Sequence, residues 1–528
     1  MQNQRLSSFL YLVLAATVGA VVMMMNMSFV NGDLPVHCLY NTTLGVWEFS
    51  LTAQNMNAND VIAQCDLRSK INPVSTMMIS LQMPDIAVDQ KGNKGFWTLV
   101  YDQGFEVVIG ENKYWAFFNF TTAGKDPQGN DVIVSHCDRT FVGWYHENKV
   151  RAQKWGCYIA KKASKLQLGT QEPQVFTHSA LPPLKVDGMV FKNDMTMIEE
   201  LNQMHARGEI SWKAKPMTEW ENQPMESIIR KLGKRTEAFR LKHRREHSQF
   251  IRQRFGEDIT KRALMQLKKM DISKVANNAT FSYLQDVARY GVKGFPTSFD
   301  WRNVGGQNFV SPVRNQGQCG SCYSFATTAM MEARKRIFSN NIDQPVYSPE
   351  NIISCSIYSQ GCDGGFAYLV SKYGEDFGIV AESCDPYVGF VTQCKPNNNC
   401  PVRQFWTDYK YTGGFYGAVD ENNMMLDILV NGPLAVSMEV YNDLFSYHSG
   451  IYRHVSSSKF SAPVPNPFEL TNHVVLIVGW GEENSQKYWI VKNSWGTGFG
   501  MQGYFWIAKG VDECAIESEN GSAIPVNV

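Results

Sequence analysis

The chain has 528 residues, 12 cysteines and 50 basic against 50 acidic side chains, so its formal charge is zero. With 44% hydrophobic, 12% aromatic and 19% charged residues, it has the composition of a globular protein, and its length implies about two to four domains. Overall neutrality removes the simplest argument for a nucleic-acid binder, which would carry a basic domain.

Residues 1–32 read as a targeting segment. Arg5 precedes an apolar run from Phe9 to Met25, and a polar stretch ends at Gly32, a small residue in front of Asp33 as at a signal-peptidase site. An uncleaved anchor is the alternative, because the run is near spanning length. Cleavage is the reading adopted, with entry to the secretory pathway and no stable membrane insertion afterwards. That route makes paired cysteines the expectation. Sequons at Asn41, Asn119, Asn278 and Asn520 are compatible with glycosylation.

From Leu44 to Lys162 the sequence is strand-like. Aromatic and β-branched runs such as Gly95–Tyr101 and Tyr114–Phe120 alternate with Gly/Asn/Asp breaks, which suggests a closed or sandwiched all-β module. Residues 163–294 contain no cysteine. Between Ser227 and Lys269 proline is absent, and Phe239, Phe250, Ile251, Phe255, Leu264 and Leu267 recur at helix-like intervals. This basic helical stretch is a solvated face, a calmodulin- or nucleic-acid-binding helix, or a removable segment covering another domain. From Phe295 to Val528 glycine and cysteine become frequent, one strong helix follows Ser321, and apolar strands cluster towards the end, an α+β pattern.

The strongest local signal is Asn315-Gln316-Gly317-Gln318-Cys319-Gly320-Ser321-Cys322-Tyr323-Ser324-Phe325. It places Cys322 at a helix N-terminus, where unpaired N–H groups favour a thiolate. A structural cysteine, a redox Cys319-x-x-Cys322 pair and half a zinc site are the alternatives. The zinc reading lacks a second paired-ligand motif, and no metal is expected. Later come Asn472-His473 before an apolar run and Lys492-Asn493-Ser494-Trp495-Gly496 after one. Alone, His473 would be a satisfied buried histidine. With Cys322 and Asn493 it completes nucleophile, proton carrier and orienting amide.

These runs resemble the papain family of cysteine proteases over essentially all of 295–528. The resemblance implies Cys322 as nucleophile, His473 as general acid/base, Asn493 as its orienting partner and Gln316 as an oxyanion-hole donor. The rest of the chain resembles an exopeptidase branch of that family, through Asp33–Cys38, Phe299–Asn303, Gly364-Gly365-Phe366, Asn466–His473 and Asp512–Ser518. The fold class implied is α+β: a two-lobed papain-like domain, an N-terminal all-β barrel called the exclusion domain, and a partly helical pro-region. The implied division is 1–32 signal, 33–162 exclusion domain, 163–294 pro-region removed on activation, and 295–528 peptidase, cut again near 456–465.

In that branch the exclusion domain blocks the far end of the cleft and its terminal Asp, here Asp33, receives the substrate's free ammonium. The expected activity is removal of dipeptides from free N-termini, in a lysosome-like compartment or outside the cell. An endopeptidase is the alternative if the barrel does not block the cleft, and an inert binding protein is a more distant one. The resemblance also implies Gly364, Gly365 and Phe366 in the substrate pocket, and chloride held by Tyr411 and the backbone at Phe366 and Tyr368. It pairs Cys38 with Cys137, Cys65 with Cys157, Cys319 with Cys362, Cys355 with Cys394 and Cys384 with Cys400, leaving Cys322 and Cys514 free. A homo-tetramer and an activating protease are the implied partners. Phe499 stands where the family commonly has Trp.

The zero charge conceals a division. Residues 163–294 hold 23 basic and 15 acidic side chains, while 295–528 hold 14 and 22. A basic pro-region held electrostatically on an acidic enzyme, and released on acidification, is the expectation.

Overall fold

The computed structural model describes residues 36–67, 69–163, 175–179, 188–231, 238–269, 280–394, 400–455 and 471–526. The signal segment, Asp33, the Asn278 sequon and the 456–465 loop lie outside the described residues.

The first domain is built on period-two strands. In β1 (Gly45–Leu51), Trp47, Phe49 and Leu51 are buried while Glu48 between them is exposed. There follow β2 (Ser75–Gln82), β3 (Ile86–Asp89), β4 (Lys94–Val100), β5 (Gly104–Ile109), β6 (Asn112–Lys125), β7 (Asp131–Thr140), β8 (Gly143–Glu147) and β9 (Trp155–Lys162). Eight of them pair in the order β1-β2-β3-β4-β5-β6-β8-β9, and pairing of β1 with β9 closes the barrel. Closure leaves these strands no free edge. Aromatic rings fill the inside: Trp47 meets Phe105 edge-on at 5.1 Å, and Phe49 stacks on Tyr158 at 5.3 Å. Bridges Cys38–Cys137 and Cys65–Cys157 fasten the entering arm and a short helix to β7 and β9.

Beyond the barrel, β10 (Val175–Ser179) pairs with β7. Helix α1 (Met195–Ala206) starts at Asp194, whose carboxylate accepts from Met197 N–H, and buries Met197, Ile198, Leu201 and Met204 at helical spacing. Strand β11 (Trp212–Ala214), α2 (Met225–Arg230), the 32-residue α3 (Ala238–Lys269) and α4 (Phe281–Tyr290) complete the region. Helix α3 covers both neighbouring domains. Its Ile251 and Ile259 pack with Phe415 and Ala418 of the peptidase domain and Phe96 of the barrel, and Arg262 reaches Asp85 at 3.4 Å. The structure shows this basic helix covering parts of both neighbouring domains.

In the peptidase domain, α5 (Cys322–Phe338) has no Gly or Pro and is buried nearly all round, as a central helix should be. Around it lie α6 (Pro349–Cys355), capped by the Ser348 hydroxyl accepting from Asn351 N–H, and α7 (Ala367–Asp376). The second lobe is a sheet of β12 (Phe299–Asp300), β13 (Trp406–Lys410), β14 (Leu434–Val440), β15 (Tyr447–Tyr452), β16 (Thr471–Glu483), β17 (Gln486–Lys492), β18 (Tyr504–Ala508) and β19 (Asn520–Pro525), with β12 pairing to β16 off the main path. Its order is β11-β15-β18-β17-β16-β14-β19-β13, so the pro-region supplies an edge strand.

The three remaining bridges are Cys319–Cys362, Cys355–Cys394 and Cys384–Cys400, and Cys322 and Cys514 are free and buried. With Cys319 bonded elsewhere, the redox-pair and zinc readings of Cys319-x-x-Cys322 fall. One glycosylation expectation also falls. Asn520 is fully buried, its Oδ1 accepting from Thr412 N–H at 3.0 Å and its Nδ2 donating to Thr412 Oγ1 at 2.7 Å, so it has no room for a glycan. Asn41 is exposed and Asn119 partly buried.

Candidate active site

The two lobes meet where α5 begins. Cys322 is the first residue of that helix, and the N–H groups of Val474, Tyr323 and Cys322 itself pull its thiol pKa down. Burial outweighs them and pushes the thiol up to about 11. Burial thus opposes the helix start that the sequence places at this thiol. The helix terminus is in place, but the thiol is buried.

His473 and Asn493 are brought together by strand register. Leu476 pairs with Lys492, which sets the residue after β17 beside the start of β16. His473 Nε2 donates to Asn493 Oδ1 at 2.8 Å. That bond assigns the ring proton to Nε2 and leaves the lone pair on Nδ1, a buried atom with no hydrogen-bond partner among the described residues. The Trp495 ring stacks on the imidazole at 4.7 Å, and burial holds the His473 pKa at about 4. Thiol and imidazole are therefore both neutral across the physiological range in this closed state.

Gln316 is fixed from three sides. Its Oε1 accepts from Ser494 Oγ at 2.7 Å, and its Nε2 donates to Cys319 O at 2.9 Å. Tyr387 Oη donates to Gln316 O at 2.7 Å. The same Nε2 also donates to the carbonyl of Lys231, at 2.8 Å. Lys231 belongs to the pro-region and returns a bond from its Nζ to Gly317 O, also at 2.8 Å. Upstream, Trp220 packs on Trp495 at 5.2 Å and on Phe445 at 5.4 Å. A pro-region carbonyl thus occupies the amide expected to stabilise an oxyanion, and a pro-region indole packs on the tryptophan that stacks on the histidine. Sequence reading missed these two residues and Tyr387, since no local motif marks them. Ser494 and Trp495 stood inside the Lys492–Gly496 run, where a polar and an aromatic neighbour of Asn493 were visible without a role.

The pocket residues lie at the domain junction. A side chain on Gly365 would come within 2.6 Å of the Tyr323 ring, so only glycine fits there. Phe366 stacks on Tyr101 of the barrel at 3.6 Å, and Tyr368 stacks on Tyr411 at 4.5 Å. Tyr101 N–H donates to Tyr411 Oη at 3.4 Å. The adjacent Asp102 holds the barrel's entering arm: its carboxylate lies 2.6 Å from His37 Nδ1, and its carbonyl accepts from Cys38 N–H at 2.8 Å. One turn of the barrel therefore touches both Phe366 and the arm that leads back to Asp33. The buried Tyr411 hydroxyl accepts from Tyr101 and has its own O–H to donate. Phe366 and Tyr368 open α7, whose first N–H groups have no intrahelical acceptor. That donor set fits a small anion such as chloride.

A thiol at a helix start, an imidazole carried by an amide and a neighbouring side-chain amide donor are the equipment of nucleophilic cysteine catalysis. The family model described as papain family cysteine protease matches residues 295–524, and that of the cathepsin C exclusion domain matches residues 33–162. Cathepsin C of Schistosoma mansoni is 34% identical over 498 residues, covering 93% of this chain and 94% of that protein. Pro-cathepsin H of Bos taurus is 34% identical over 241 residues, covering 45% and 67%. Among solved structures, digestive procathepsin L2 proteinase from Tenebrio molitor larval midgut aligns with 63% of this chain and 90% of its own, at 27% identity and a TM-score of 0.44. The chain belongs to the papain family of cysteine proteases, in its cathepsin C branch.

Proposed function

We propose that this protein is the precursor of a dipeptidyl exopeptidase of the secretory pathway, acting in a lysosome-like compartment or outside the cell. The observation that carries this reading is the barrel turn Tyr101–Asp102, which contacts Phe366 on one side and holds His37 and Cys38, a few residues after Asp33 in the sequence, on the other. An acidic N-terminus held there would pair with a substrate ammonium two residues from the scissile bond and disfavour chains that continue past it.

In the processed enzyme the Cys322 thiol passes its proton to Nδ1 of His473 and the sulfur attacks the carbonyl of the second substrate residue. The C–N bond breaks, the amine leaves with a proton from His473, and a thioester remains on Cys322. Water, deprotonated by His473, then releases the dipeptide and restores the thiol. Asn493 keeps the ring turned towards the sulfur, while Gln316 and the Cys322 N–H receive the oxyanion. Phe366, Tyr368 and Tyr411 would hold chloride, which would lend the pocket fixed negative charge. Removal of 163–294 withdraws the Lys231 carbonyl from Gln316. A further cut near 456–465 and assembly as a tetramer belong to the same reading.

N-terminal sequencing of each chain in the active form tests it. The expected starts are Asp33 and a residue close to Phe295, and Asp33→Ala raises KM for free-amine dipeptidyl amides. An active form whose barrel begins elsewhere, or an unchanged KM, would leave an endopeptidase as the better reading.

A further inference from the structure

A group of buried titratable side chains that none of these steps uses joins the barrel to the peptidase domain. Glu106 of β5, Lys113 of β6 and His146 of β8 come from the barrel, the last two being register partners. Facing them, α7 presents Tyr368, Lys372, Glu375 and Asp376, residues whose spacing puts them on one helical face. Lys113 pairs with Glu375 at 2.5 Å, and Lys372 with Asp376 at 3.1 Å, with His146 Nε2 3.3 Å from the same aspartate. Ions are costly to bury, and apolar side chains would hold two domains together at least as well. The arrangement is therefore better explained by the geometry that it imposes.

That geometry converges on Glu106. Its two carboxylate oxygens accept separately, one from Tyr368 Oη at 3.1 Å and the other from Tyr409 Oη at 2.6 Å, and Lys372 Nζ stands 3.6 Å away. Tyr368 follows Phe366 by two residues, and its ring stacks on Tyr411 at 4.5 Å with an interplanar angle of 15°. A tyrosine held only by stacking can slide and tilt. One whose hydroxyl is tied to a buried carboxylate cannot.

We propose that Glu106 of the barrel is a positioning residue for the dipeptide pocket, fixing the Tyr368 hydroxyl and through it the Tyr368–Tyr411 wall. The inference rests on the reading of Phe366, Tyr368 and Tyr411 as that pocket. On this account the barrel shapes the pocket as well as closing the far end of the cleft. Loss of the tie weakens binding of the substrate's first two residues and leaves the chemistry at Cys322 intact.

The test compares processed wild-type enzyme with Glu106→Ala, Glu106→Gln, Tyr368→Phe and the Glu106→Ala/Tyr368→Phe double variant. Each is measured for KM and kcat on free-amine dipeptidyl amides and for the rate of Cys322 labelling by iodoacetamide, a probe too small to need the pocket. Glu106→Ala and Tyr368→Phe are each expected to raise KM about tenfold with kcat within about twofold, as for the loss of one charge-assisted hydrogen bond from ground-state binding. Glu106→Gln, which keeps an acceptor oxygen, recovers part of the loss. The double variant adds nothing to Glu106→Ala, and labelling keeps its wild-type rate. An unchanged KM in Tyr368→Phe, or kcat and labelling falling together, overturns the proposal. Should Glu106→Ala fail to fold, Tyr368→Phe decides, because it leaves every buried charge in place. Equal turnover of free and acetylated substrates by the wild type would remove the pocket reading itself, and the proposal with it.

Discussion

At the scale of single residues, the site combines fixed geometry with suppressed charge. His473, Asn493 and Gln316 are hydrogen-bonded in place, yet burial keeps the Cys322 thiol protonated and the His473 ring neutral. Readmitting water removes the cause of both displacements, so the thiol pKa should fall and the imidazole pKa rise once the pro-region leaves. Iodoacetamide should therefore label Cys322 at least about tenfold more slowly in the intact precursor than in the processed enzyme at pH ~6. Equal rates would show that the pro-region is not what keeps the thiol neutral. In the processed form Cys322→Ala should abolish turnover while Cys514→Ala leaves it intact. Gln316→Ala should cost about 10²–10³ in kcat, as for loss of one oxyanion donor.

Much of this was legible in the sequence, because nucleophile, histidine, amide and glutamine each sit in a run with its own local pattern. What the sequence did not disclose was the protonation state. A thiol's pKa depends on what buries it, and the pro-region residues that reach the site, Trp220 and Lys231, lie about a hundred positions upstream of Cys322 without any marking motif.

At the scale of elements, helix α3 is the part whose sequence was most ambiguous and whose structure is most informative. A charged helix was expected to be held by ion pairs, and among the described residues Arg252–Asp512 at 3.7 Å and Arg262–Asp85 at 3.4 Å are the ones that it makes with the flanking domains. The closer contacts are to backbone carbonyls. Arg252 donates to Val419 O at 3.0 Å and to Glu517 O at 2.6 Å, while Lys215 and Lys231 in the same pro-region also bind carbonyls. Salt should therefore loosen the pro-region less than its excess of basic residues implies. A pH response is expected from a more local source. His247 on α3 is partly buried between the Tyr40 and Tyr416 rings, and burial lowers its pKa from 6.5 to about 4.

Between those two values the released helix binds more protons than the docked one, so docking weakens as pH falls through that window. Full protonation costs about 3 kcal/mol. His247→Phe, which keeps the stacking and cannot ionise, should flatten the pH dependence of pro-region release between about pH 6.5 and pH 4, followed by limited proteolysis. Identical slopes for the variant and the wild type would place the pH response elsewhere.

At the scale of the whole molecule, buried ion pairs, Lys113–Glu375 and Lys372–Glu106, cross the junction between the barrel and the peptidase domain. Lys113→Met would leave Glu375 buried and without its lysine, at a cost of about 3–5 kcal/mol, read as a lower thermal midpoint with early separation of the barrel from the peptidase domain. A midpoint within 1 °C or so of the wild type would show that this pair is not what joins them. The all-β character of residues 44–162 was visible in period-two patterning. The interface was not, since Glu106, Lys113 and His146 look like ordinary exposed positions of a barrel strand until α7 covers them.

The central claim is that this junction makes the enzyme count two residues from a free N-terminus. It is tested most directly by turnover of one dipeptidyl amide substrate with a free and with an acetylated N-terminus by the processed enzyme. The account predicts rapid release of the free dipeptide and at least a hundredfold loss in kcat/KM on acetylation, about 3 kcal/mol for one buried ion pair. Equal turnover of the two would contradict it.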